Sequence, residues 1–381
     1  MIGSKRAGGS TKARVIPQES CMTQNSHEPP EWKRELDSSI RSLDAMQSRF
    51  PAMVVTAAMR RAADLFPMSV TPYYAELVQR PEFDDPIFAQ CVPDGRELQA
   101  PSWLSSDPLH EQNCSPVPFL VHRYPDRALI VATSACATYC RHCTRKRVSS
   151  TPDSEIPDSA LDAGAGYLRA HPGIDDVLIS GGDPMLLDDE RLDRILGRIR
   201  DVPSVKAIRI ATRTLVNLPM RFTPEAVAML RRHAPLFVNT HFNHPVEVTP
   251  QAVAAAARLV DVGIPVANQT VLLRGVNDSE AVVEALCRKL FHNRIRPYYL
   301  FQCDLVNGIE HLRTPLATGL RIMKHLRGRL SGMAIPNFAV DTPGPGGKIE
   351  LLPDGILRSD DKGTYLSNSR GDVVYYPDPE V

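Results

Sequence analysis

From residue 127 to residue 301, short apolar, β-branched runs alternate with amphipathic segments, and nothing else in the 381-residue chain limits its fold as strongly. The runs cover residues 128–132, 177–180, 205–210, 236–240, 266–271 and 296–301. Helical patterns lie between them, for example over 188–202, 224–233, 250–262 and 279–291. Strands joined by such helices run parallel, because a parallel pair needs a long crossover and a helix supplies it. The pattern predicts a parallel sheet, either doubly wound or an open (β/α)6 barrel, with chemistry collected at the carboxyl ends of the strands. Thr314-Pro315 reads as an N-cap and first turn of another helix, ending near Leu330. Upstream, 31–115 reads as mostly helical, with patterned stretches over 32–50 and 54–65 and breaks at Phe66-Pro67 and Thr71-Pro72. Residues 1–30 have basic residues and no hydrophobic period, as expected of a disordered tail.

Charge and cysteine usage narrow the function. Lys+Arg and Asp+Glu are 44 each, so no basic excess points to nucleic acid. No apolar run is long enough to span a membrane and no signal sequence is evident, so a cytoplasmic protein without a membrane partner is expected. Eight cysteines are too sparse for a disulfide scaffold, but three fall within eight residues, which suggests metal or catalytic use in a reducing compartment.

Those three form Cys136-Ala-Thr-Tyr-Cys140-Arg-His-Cys143, directly after the first run. Three thiolates so spaced can hold three corners of an iron–sulfur cube and leave the fourth iron open. A zinc site completed by His142 or a distant residue is an alternative, as are three unrelated core cysteines; zinc usually takes a second cysteine pair, which the chain lacks. Ser180-Gly181-Gly182-Asp183 follows the next run; its small residues permit close backbone approach and its carboxylate can pair with an ammonium, although alone the motif is a common turn. Asp341-Thr-Pro-Gly-Pro-Gly-Gly-Lys348 is a glycine- and proline-rich loop ending in a lysine, the residue that binds pyridoxal phosphate; alone it reads as a surface turn.

The cysteine spacing resembles the radical S-adenosylmethionine superfamily. With His241-Phe-Asn-His-Pro245, the segments 268–278 and 296–304, Glu310-His-Leu-Arg-Thr-Pro315 and the Lys348 loop, the chain from about Asp107 to about Pro377 closely resembles the lysine 2,3-aminomutase family. The resemblance implies an α/β fold: an open (β/α)6 partial barrel of radical S-adenosylmethionine type with a helical N-terminal region and a small C-terminal segment. It divides the chain into a tail (1–30), a helical region (31–118), the core (119–330) and the lysine-bearing segment (331–381). Cys136, Cys140 and Cys143 would hold a [4Fe-4S] cluster, with Ser180, Gly181, Gly182 and Asp183 beside S-adenosyl-L-methionine. Lys348 would carry pyridoxal 5'-phosphate and Arg127 its phosphate, with His241 and Gln269 contacting cofactors. Arg145 would take the substrate carboxylate, and Asp304 and Asp341 the far ammonium of a diamino acid. Two aspartates in one pocket fit this independently, because without a cation between them one pKa would rise.

The activity so implied moves the α-amino group of free L-lysine to the β carbon. Arginine, or a lysine modified in translation-factor maturation, are alternatives within the same chemistry. A radical S-adenosylmethionine enzyme without pyridoxal phosphate would leave Lys348 idle, and a zinc-stabilised binding module would hold no iron. An electron donor of flavodoxin or ferredoxin type is implied as a partner, and a homo-oligomer is allowed. The chain has neither the family's cysteine-bearing tail nor a cysteine at Ser279, so no structural zinc is expected. Pro345 interrupts the usual glycine run, and Phe301 stands where tyrosine is common. Cys303 is expected to be buried, and Cys21, Cys91, Cys114 and Cys287 have no evident partners.

Overall fold

The computed structural model describes residues 28–377, apart from 152, 353–354, 361–362 and 369. The expected tail lies outside them up to residue 27, as does Cys21. The described chain builds a nine-stranded sheet in strict sequence order. Its strands are β1 (Leu120–Tyr124), β2 (Arg127–Thr133), β3 (Asp176–Gly181), β4 (Ala207–Ala211), β5 (Leu236–Thr240), β6 (Val266–Leu272), β7 (Arg296–Gln302), β8 (Asn337–Asp341) and β9 (Lys348–Glu350). Neighbours from β2 to β8 pair in parallel, while β1 and β9 add antiparallel edges. The strand order never reverses, so there is no topological switch point and the doubly wound alternative is excluded. The β1 and β9 edges do not pair with each other, so the sheet is open.

Alternate residues divide the two faces. Ile130, Val177, Ile179, Ile208 and Ile210 are buried in the main core, while Leu129, Leu178 and Arg209 are cross-strand neighbours lining a cavity on the opposite face. The crossover helix Asp189–Arg200 shows why helices cover the first face: Leu192, Ile195, Leu196 and Ile199 recur at helical spacing and are fully buried. Burying each contributes roughly 1.5–3 kcal/mol relative to exposure. Thr223, Thr249 and Ser279 cap the helices Pro224–Arg231, Pro250–Asp261 and Glu280–His292 through their hydroxyl oxygens.

Several expectations are corrected. Thr314 is not an N-cap: its carbonyl accepts from Gln302 Nε2 at 2.6 Å, and the helix is Leu316–Leu326 with Pro315 as cap. It ends before Leu330 because Gly328 turns left-handed (φ 82°). The stretch 32–50 is two helices, Glu31–Asp37 and Leu43–Arg49, because Ile40 leaves the helical path to bridge Val70. The N-terminal region packs into the main core: Met46, Met59, Tyr74 and Phe88 belong to the cluster that holds Ile179 and Ile210. Sequence reading missed β1, β8 and β9, and also a separate antiparallel sheet of β10 (Ile356–Asp360), β11 (Gly363–Ser367) and β12 (Val373–Pro377). Among the described residues no helix is long and apolar enough to cross a membrane.

Candidate active site

One cavity of about 350 Å³ touches residues in or just after nearly every strand of the large sheet, which therefore curves around it. Cys136, Cys140, Cys143 and Arg145 reach it from the loop after β2, and Ser180, Gly181, Gly182 and Asp183 from the end of β3. His241 follows β5, Gln269 lies within β6, Asp304 follows β7, and Asp341 ends β8. Arg127 opens β2 and Lys348 opens β9. All the candidate residues thus line one space.

The cysteine loop is held from behind by the N-terminal region. Tyr139 N donates to Ser69 O and Arg141 N to Gln90 O, at 3.1 and 2.9 Å. Arg141, with no exposed surface, forks onto Glu97 at 2.7 and 2.6 Å. The loop's backbone is therefore fixed, while its thiols face the cavity. Loss of solvent and mutual repulsion with Cys140 raise the thiols of Cys136 and Cys143, so the pocket as it stands favours neutral sulfur. A multiply charged iron centre would reverse that preference. The buried His142 Nδ1 and Thr138 Oγ1 have no partner on the same loop. The donor set fits a cluster.

Gly181 and Gly182 are required by packing of protein against protein. A Cβ on Gly181 (φ 120°) would come 2.4 Å from Thr133 O, and one on Gly182 would come 2.2 Å from Ala135 O. The end of β3 lies directly against the start of the cysteine loop, with Gly182 N donating to Thr133 O at 2.6 Å. Asp183 accepts from the Met185, Arg213 and Thr214 amides and the Thr212 hydroxyl, which ties β3 to the turn after β4.

The opposite end of the cavity is acidic. Burial, reinforced by Asp341, raises Asp304 to about 6. Asp341 pairs with Arg123 at 2.6 Å and with Lys348 Nζ at 3.2 Å. Lys348 stands opposite Asp341 in the β8–β9 hairpin and lies 5.3 and 5.6 Å from the ring centroids of Tyr124 and Phe301. This aromatic slot beside a lysine, with the Arg127 guanidinium 4.2 Å from the Tyr124 ring centroid, suits a flat anionic cofactor. Arg145 is gripped by Glu111 at 2.5 and 3.0 Å, and Arg147 shares that carboxylate at 2.8 Å. Burial would raise Glu111, but the two guanidiniums prevail and hold it at about 2. Arg147 also meets Asp107 at 3.4 Å, so Glu111 and Asp107 balance the two guanidiniums while Arg145 still lines the cavity. Burial, with Arg213 and Arg145 nearby, lowers His241 to about 4, so it is neutral near pH 7.

Glu111, Arg123 and Arg213 were missed. Arg213 lies two residues after β4, so the expectation of chemistry at strand ends could have pointed to it. Glu111 and Arg123 carry no local signal, since their partners lie 34 and 218 residues away. Cys303, Cys91 and Cys287 are buried, and Cys114 is half-buried; all are unpaired.

The family model described as Radical SAM superfamily matches residues 130–286, and that described as Lysine-2,3-aminomutase matches residues 323–381. The chain is 42% identical over 351 residues to the L-lysine 2,3-aminomutase of Acetoanaerobium sticklandii, covering 92% of this chain and 85% of that protein. It is 44% identical over 325 residues to the enzyme of that name from Fusobacterium nucleatum, covering 85% and 76%. With the glutamate 2,3-aminomutase of Clostridioides difficile it shares 38% over 313 residues, covering 82% and 74%.

Proposed function

We propose, from the premise that this chain belongs to the lysine 2,3-aminomutase family of the radical S-adenosylmethionine superfamily, that it moves the α-amino group of free L-lysine to the β carbon with pyridoxal phosphate on Lys348. The observation that carries the substrate reading is the acid pair with an ammonium already beside it. Lys348 Nζ lies 3.2 Å from Asp341 and is close enough to Asp304 to lower its pKa, so this end of the cavity accepts a primary ammonium. A lysine substrate presents the same group, with a carboxylate at its other end for Arg145. A glutamate side chain would bring a like charge to the two aspartates.

When bound, the cluster and S-adenosylmethionine supply a radical that takes a β hydrogen, and pyridoxal phosphate holds the migrating nitrogen. The chain's own residues position and shield. Cys136, Cys140 and Cys143 hold the cluster; Ser180, Gly181, Gly182, Asp183, His241 and Gln269 shape the adjoining wall. Lys348 anchors the pyridoxal, Arg127 meets its phosphate, and Tyr124 and Phe301 flank the slot. Arg145, Asp304 and Asp341 hold lysine at its two ends, which fixes the β carbon in place. A one-electron donor of flavodoxin or ferredoxin type, a cytoplasmic setting, self-assembly and the division at 118, 330 and the basic tail belong to the same proposal.

An anaerobically reconstituted preparation tests it. Iron–sulfur absorption and the visible band of lysine-bound pyridoxal should both be present, and Lys348→Ala should lose only the band. A band that persists would place the cofactor on another lysine. Product analysis with lysine, arginine and glutamate should favour lysine. A preference for arginine would change only the substrate, whereas one for glutamate would reject the acid pair.

A further inference from the structure

We infer that Arg213 and Glu247 form a buried pair that sets the reduction potential of the cluster, through a hydrogen bond from Arg213 to the Cys140 sulfur. The inference rests on the cysteine loop being the cluster site. Arg213 Nη1 donates to Cys140 Sγ at 2.7 Å, and its side chain is 8% exposed. The rest of the fork is occupied: Nη2 reaches Tyr74 Oη, Gln90 Oε1 and Glu247 Oε1 at 2.8, 2.7 and 2.7 Å, and Nε reaches His241 O at 3.3 Å. Glu247 is fully buried and also accepts from Tyr74 Oη, Gln90 Nε2 and the amides of Asn243 and His244. The guanidinium cannot swing away without taking from the buried Glu247 its counter-charge, so the contact to sulfur is imposed by the fold.

One electron entering a cluster makes it more negative by one charge, and much of that charge falls on sulfur. A donor aimed at a ligand sulfur in a water-poor site stabilises the reduced state more than the oxidised one and raises the potential. Glu247 acts in the opposite sense, since its negative charge 2.7 Å from Arg213 offsets the guanidinium. The two residues should therefore move the potential in opposite directions when changed. Tyr74 and Gln90 come from the N-terminal region, which thereby gains a part in the cluster's chemistry.

The test is an EPR-monitored redox titration of the anaerobically reconstituted full chain, with iron content measured alongside. Arg213→Gln should lower the midpoint potential by at least a tenfold change in the reduced-to-oxidised ratio, about 59 mV for one electron. Arg213→Lys should lower it less, and Glu247→Gln should raise it. Opposite signs at full iron content are not produced by general loosening. If Arg213→Gln fails to fold, the upward shift in Glu247→Gln and the smaller fall in Arg213→Lys decide the matter. Unchanged potentials, or shifts of one sign, overturn the inference while the cluster reading stands. Wild-type chain without a cluster, or Cys140→Ala with full iron and an unchanged spectrum, overturns the cluster reading itself.

Discussion

Asp304 links burial to pH. Its folded pKa of about 6 is raised above the usual carboxylate value, so it is protonated below that pH and cannot hold an ammonium there. The kcat/KM for lysine, which reports the free enzyme, should fall as pH drops through about 6, and Asp304→Asn should abolish that limb together with most activity. Stability runs the other way. A raised acid pKa means the folded state binds more protons, so the apoprotein should lose up to about 3 kcal/mol between about pH 4 and 6. Urea titrations of wild type and Asp304→Asn across that window read it. Glu111 acts at one remove, by aiming Arg145. Charge-assisted contacts are worth about 1.5–3 kcal/mol each, so Glu111→Ala should raise KM for lysine at least about tenfold, with kcat changed less. Steady-state kinetics, with Glu111→Gln intermediate, check this.

At the scale of elements, the turns decide which side chains meet. The end of β3 touches the cysteine loop only because residues 181 and 182 lack side chains. Gly182→Ala would set a Cβ 2.2 Å from Ala135 O, so the backbone must shift, and overpacking of this kind costs about 1–3 kcal/mol. A lower Tm of the apoprotein and a reduced iron content after reconstitution are the expected results; unchanged iron content would separate the glycine pair from the cluster loop. The β8–β9 hairpin works similarly for the lysine. Gly347 turns left-handed (φ 67°), Thr342 pairs with its carbonyl, and the register sets Lys348 opposite Asp341.

At the scale of the molecule, the large sheet is open and its first strand is tied to its far end through side chains. Arg123 on β1 donates to Asp341, Thr342 O and Gly344 O at 2.6, 2.5 and 2.9 Å, joining the first strand to the loop after β8. Its side chain is 6% exposed, so removal leaves Asp341 with Lys348 as its remaining cation and takes the guanidinium donor from two carbonyls. Each acceptor left without its donor costs about 1–3 kcal/mol. Arg123→Ala should lower the unfolding free energy read from urea titrations by at least about 2 kcal/mol and speed proteolysis C-terminal to residue 341. A loss below about 1 kcal/mol would show that the sheet keeps its ends together without this contact.

The repeating runs determined a parallel sheet with crossover helices, and the choice between a doubly wound and a barrel-like order was decided only in the folded chain. Six strands appear within two residues of where alternation put them, because a buried face imposes its period on adjacent residues. The cysteines and the strand-end motifs were legible for the same reason, since donor spacing is local. In the separate sheet, β10 and β12 escaped because their residues, Ile356, Val373 and Tyr376 among them, are all exposed and carry no in-and-out period. Thr314 misled because the Gln302 side chain, brought over from β7, took its carbonyl. The partners of Asp341, Arg145 and Cys140 (Arg123, Glu111 and Arg213) were decided only by tertiary structure. Each is an ion pair or hydrogen bond between distant segments, and what brings those segments together is the curvature of a sheet that no stretch of sequence contains.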